Sequence, residues 1–72
     1  MISLSSLADV FTDVKQQATQ GNALAQAKMG AMYQLGRNGA DKDAKESARW
    51  MQKAADQGLA EAEVFMAALY DR

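Results

Sequence analysis

Displaced by 37 residues, this chain matches itself, and that match restricts the fold more than any other feature. Ala18, Gln20, Gly21, Ala23, Ala25, Met29, Ala31 and Tyr33 fall on Ala55, Gln57, Gly58, Ala60, Ala62, Met66, Ala68 and Tyr70. Alanine coincidences carry little weight where Ala fills fifteen of 72 positions, but paired Gly, Met and Tyr at one fixed offset carry much. Gly30 falls on Ala67, another small residue. A period of this length marks a supersecondary unit that buries its apolar face by stacking on its neighbours.

Within the period the spacing is helical. No Pro interrupts the chain, and Ala, Gln, Lys and Met are abundant, all good helix formers. Leu4, Leu7, Phe11, Val14 and Ala18 step by three and four residues and define one stripe of a first helix. Ser3 or Ser6 is the expected cap, with Asp9 three residues after Ser6 as in a capping box. Gly21 closes the helix as a left-handed residue. A second helix runs from the N-cap Asn22 to Leu35, with Ala25, Met29, Met32 and Tyr33 on one side. Gly36-Arg37-Asn38-Gly39 reads as loop. The third helix, capped by Asp41 or Asp43, runs to about Gln57. It carries Ala44, Ala48, Met51 and Ala55 at helical spacing, with Trp50 and Ala54 beside them, and Gly58 closes it. The fourth spans about Ala60 to Tyr70. The expected fold class is all-α, an antiparallel array of about four helices.

Gly21 to Gly36, read as Gly-Asn-Ala-Leu-Ala-Gln-Ala-Lys-Met-Gly-Ala-Met-Tyr-Gln-Leu-Gly, resembles the first helix of a Sel-one-like repeat, a relative of the tetratricopeptide repeat. Ala48 to Gly58 resembles the second helix, with Trp50, the Lys53-Ala54-Ala55 run and the closing Gly58. Together with Gly30 and Tyr33 these residues form the structural signature. The resemblance implies tetratricopeptide-like hairpins, an α-solenoid fragment. It divides the chain into a half-repeat over 3–20, a full repeat over 21–57 and a half-repeat over 58–72. Asp13 takes the place of the signature Trp in the first half-repeat. In the loop, Gly36 and Gly39 stand two residues apart where the family usually has one between them, and Ala40 stands in for Val.

Composition narrows the chemistry. The chain has no His and no Cys, which removes histidine general bases, imidazole or thiolate metal sites and disulfides. A net charge of −1 gives no basic footprint for nucleic acid. Lys42, Lys45, Arg49 and Lys53 share one side of the third helix, but Asp41, Asp43 and Glu46 interleave with them. Those three acids sit at a helix start, where negative charge favours the macrodipole, and they lack the remainder of a calcium loop. Glu61 and Glu63 are two apart on a helix and point in different directions. Ser47 has no partner base, and Gly36 to Gly39 lacks the ending of a phosphate loop. We expect no enzyme activity and no cofactor. The longest apolar run, Val64 to Tyr70, is far below the ~20 residues that cross a bilayer. With no basic region at the N-terminus, a cytoplasmic protein with no membrane partner is expected.

Interaction surfaces are better supported. At ~100° per residue, Leu24, Lys28, Ala31 and Leu35 form a stripe beside the core face of the second helix. One period later stand Glu61, Phe65, Ala68 and Arg72. The expected protein-binding residues are Leu24, Lys28 and Leu35 with Phe65 as an aromatic anchor, together with Leu69 and Tyr70 on the final helix. That helix carries Val64, Phe65, Met66, Leu69 and Tyr70. The opening helix shows Leu4, Leu7, Val10, Phe11 and Val14, wider than a single buried stripe requires. A domain this short buries only ~60% of its unfolded surface and gains from association. The expected function is a non-enzymatic adaptor or scaffold module with another protein as partner, and a homodimer is a further expectation. As the resemblance implies a bacterial scaffold, the alternative is a small stand-alone inhibitor, immunity-type or phage-encoded, that blocks a larger bacterial protein.

Overall fold

The computed structural model describes residues 7–70, with side chains from Val10 to Leu69. It consists of four helices: α1 (Leu7–Thr19), α2 (Ala23–Leu35), α3 (Ala44–Asp56) and α4 (Ala60–Tyr70). The caps expected at Ser3 or Ser6 with Asp9, the Tyr70 side chain and Arg72 lie outside what is described.

Each helix boundary has a local cause. Asn22 is extended, and its Oδ1 accepts from the Ala25 N–H at 2.9 Å, supplying one of the orphan donors at the start of α2. For α3 the cap is Asp43 rather than Asp41. Its carboxylate accepts from the N–H groups of Lys45 at 3.0 Å and Glu46 at 3.1 Å. The two tight connections are copies of one another. The Gly21 N–H donates to the Ala18 carbonyl at 3.0 Å and that of Asn22 to Gln17 at 3.2 Å. After α3, Gly58 donates to Ala55 at 2.8 Å and Leu59 to Ala54 at 3.2 Å. Both are Schellman closures, and both place glycine at positive φ, +100° and +86°. Between α2 and α3 the chain takes a longer path through residues 36–43, where Asn38 is also left-handed, at φ 58°.

The helices pack in chain order, α1 on α2, α2 on α3 and α3 on α4. Successive neighbours run antiparallel, because the contacts step in opposite directions along the two chains. On α1 and α2 the Ala18 carbonyl accepts from Gln26 Nε2 at 3.1 Å, while Phe11 meets Tyr33 edge-on with ring centroids 5.8 Å apart. On α2 and α3 the Asp43 N–H donates to the Tyr33 carbonyl at 2.9 Å, and Ser47 Oγ to that of Gly30 at 2.7 Å. Gln57 Nε2 completes the series by donating to the Gly21 carbonyl at 2.8 Å and to Gln26 Oε1 at 2.9 Å.

The core is built from alanine and methionine, small residues that let helices approach and flexible ones that fill what remains. One cluster joins Ala18, Ala25, Met29, Met32 and Ala40, with Phe11, Val14, Tyr33 and Trp50 packed against it. The other joins Met51, Ala54, Ala62 and Met66, with Ala27, Ala55, Leu59 and Phe65 against it. Gly30 is the point of closest approach: a Cβ there would lie 2.6 Å from Met51 Cγ. The result is elongated, 46 × 22 × 15 Å with a radius of gyration of 12.5 Å, against about 11 Å for a compact domain of this length.

Candidate functional site

An open concavity follows from the chain-order packing. Between α1 and α2 lies a groove of about 390 Å³. Val10 and Val14, one turn apart on α1, form one wall. Ala31, Met32 and Leu35 on α2 form the other, and Lys28, Arg37 and Asn38 stand at its edge. Its surface is apolar, with two cationic side chains and no acid among the lining residues. Such a trough suits the apolar face of a helix, and its edge favours one that also carries carboxylates.

Three residues of the expected stripe, Lys28, Ala31 and Leu35, do line this groove. Leu24 is exposed at 52% and Leu35 at 58%, but Leu24 lies at the other end of α2, outside the trough. Phe65 does not share it. It is half-buried and packs on the Met51, Ala54, Ala62 and Met66 cluster. The reason is angular: Phe65 adjoins Met66 and stands three residues after Ala62, so it falls on the α3-facing side of α4. In this structure Phe65 is therefore a packing residue of the α3–α4 core and stands outside the α1–α2 trough. On α4 the exposed apolar position is instead Val64, at 69%, with Leu69 marginal at 36%. The walls supplied by Val10 and Val14 escaped the sequence-based stripe, although the excess width of the first helix's apolar face was their signal.

Trp50 and Tyr33 are half-buried and pack against the α1–α2 core. Lys53 Nζ also lies 5.8 Å from the centre of the Trp50 ring. Ala54 is fully buried and Ala55 half-buried. A second, more polar hollow lies between Phe11, Tyr33 and the residues from Gly39 to Asp43, with Glu46. Burial, and then the charges of Glu46, Asp43 and Asp41, push the Tyr33 hydroxyl above its ordinary pKa of 10.0. Two polar groups that sequence reasoning missed hold α2 to α3. Ser47 is completely buried and tied to Gly30, and Gln57 bridges Gly21 and Gln26. Among the described residues, no three His, Cys, Asp or Glu side chains group to hold a metal, and no helix is long and apolar enough to cross a membrane.

The segment containing α2, the long loop, α3 and its glycine closure is matched by the Sel1 repeat family model, over residues 23–59. The chain belongs to the Sel1 repeat family. No curated protein and no solved structure matches it. Sel1 repeats are helical hairpins without catalytic function that generally mediate protein–protein interaction. In this Sel1 repeat protein the matched hairpin is flanked by α1, which ends 37 residues before α3 does, and α4, which begins 37 residues after α2.

Proposed function

We propose that this Sel1 repeat protein is a non-enzymatic interaction module that binds a helical segment of another protein in the α1–α2 groove. The observation that carries this reading is the open apolar trough of about 390 Å³ walled by Val10, Val14, Ala31 and Leu35, with Lys28 and Arg37 at its edge. The flanking helices act as half-repeats: α1 stands to α2 as α3 stands to α4. A preferred ligand presents small apolar residues at helical spacing toward the valines, and acids toward Lys28 and Arg37. Leu35 lines this contact, whereas Leu24 lies outside it at the other end of α2 and Leu69 stands apart on α4.

A photo-crosslinking residue at Leu35 tests the reading in a cell lysate, with one at exposed Lys45 as the control on α3. Adducts specific to position 35, lost on Lys28→Glu, are expected. Identical adducts from both positions, or adducts indifferent to Lys28→Glu, would refute it.

A further inference from the structure

We propose that the groove's occupant is α4 of a second copy of this chain, so that copies join head to tail in an open series. The inference rests on the reading of the groove as a helix-binding site and identifies its ligand.

The argument is one of repeated geometry. Inside one chain, α2 already sits against the edge of α3 that carries Ser47 and Met51, and Ala27 of α2 packs on the core shared by α3 and α4. Moving back one period turns Ser47 and Met51 into Val10 and Val14, the α1 wall of the groove. The same shift turns Phe65 and Ala68 into Lys28 and Ala31, on its α2 wall. The groove is thus the place where a helix equivalent to α2 would rest, and α4 is that helix. Its surface away from α3 is exposed, and Val64, the counterpart of Ala27, is the most exposed large apolar residue described.

Two substitutions between the repeats compensate for each other. Where Gly30 leaves room for Met51, α4 has the larger Ala67 and α1 has the shorter Val14. The polar latch is also kept. Gln57 donates to the Gly21 carbonyl and to Gln26 Oε1, and the corresponding set is Gln20 on one copy with the Gly58 carbonyl and Glu63 on the next. Both Gln20 and Glu63 are exposed within a single chain. Charge agrees with the geometry at one end of the groove, because Glu61, one turn before Val64, comes level with the start of α2, one turn from Lys28 on the groove's edge. The two surfaces in contact are different, so the association is heterologous and does not close at two chains.

Light scattering on the full chain, from micromolar to millimolar concentration, tests this. The mass is expected to rise past two chains without a plateau. Val64→Asp, which spoils α4, and Lys28→Glu, which spoils the groove, each alter an exposed side chain and should retain the helical circular dichroism. Each alone should weaken association at least tenfold. Mixed in equal amounts they should form pairs and stop there, since one variant retains the groove and the other retains α4. A single-chain mass at every concentration would overturn the proposal, as would a wild-type plateau at two chains or assembly indifferent to both variants. The crosslinks at position 35 are read separately, so a monomer that still crosslinks to another protein removes only the self-association.

Discussion

Gly30→Ala isolates the contact on which the central hairpin depends. In an exposed helix this change stabilises by about 1 kcal/mol, because alanine restricts the unfolded chain and favours the helix. Here the new Cβ would meet Met51 at three atoms: Cγ at 2.6 Å, Cε at 3.0 Å and Sδ at 3.1 Å. Real Cβ contacts at the first distance essentially do not occur, so α3 or the Met51 side chain must move. Overpacking of this kind costs about 1–3 kcal/mol, and the displacement also strains the Ser47 bond to the Gly30 carbonyl at 2.7 Å. The balance is a loss of about 1 kcal/mol, which for a domain of this size lowers Tm by roughly 4–8 °C. Thermal unfolding followed by far-UV circular dichroism reads it directly. Met51→Ala supplies the second arm of a double-mutant cycle. It should cost less in the Gly30→Ala background than in the natural chain, by about 1–2 kcal/mol, because the added methyl then fills space that Met51 has vacated. A rise in Tm for Gly30→Ala, or strict additivity of the two changes, would refute the close approach as the reason for the glycine.

Asp43→Ala should cost about 1 kcal/mol, through loss of the carboxylate that caps Lys45 and Glu46. Asp43→Asn should restore most of it, as equilibrium unfolding in urea will show. Alkaline pH should destabilise the fold through Tyr33. Its folded pKa lies above its unfolded value of 10.0, by burial first and then by Glu46, Asp43 and Asp41. Between those two values the unfolded chain holds fewer protons, so the contribution is intact below pH 10.0 and is lost as pH rises through the folded pKa. Tyr33→Phe should flatten this loss, and ultraviolet titration should show one phenol ionising late that the variant lacks.

Most of the fold was legible because the core residues are also the repeating ones. Ala18 and Ala55, Ala25 and Ala62, and Met29 and Met66 recur at 37 residues and all lie in or against the two cores. The glycines that close α1 and α3 were equally plain, since only a left-handed residue permits those turns. The candidate binding surface was less legible, for a physical reason. Periodicity fixes where a residue stands in its unit but not whether a neighbouring unit covers it. Lys28 and Phe65 are equivalent by position, yet one stands at the edge of an open groove and the other packs on α3. Val10 and Val14 were visible only as a surplus of apolar width. The Gln57 bridge joins residues more than thirty positions apart, so it depends on the path of the 36–43 loop, which no local pattern encodes.

Packing in chain order also shapes how the molecule comes apart. Each helix draws its main support from the one before it and the one after it. The inner pair, α2 and α3, therefore has two supports each, and the outer helices have one. Opening then proceeds inward, with amides of α1 and α4 exchanging through fraying while those around Met29 and Ala54 wait for global unfolding. Because the contacts join helices that are neighbours in the chain, loop closure is a small hurdle, and folding belongs to the fast end of the range for single domains. Docking a helix on either end would give an outer helix its second support, and slowed amide exchange in α1 or α4 would record that binding.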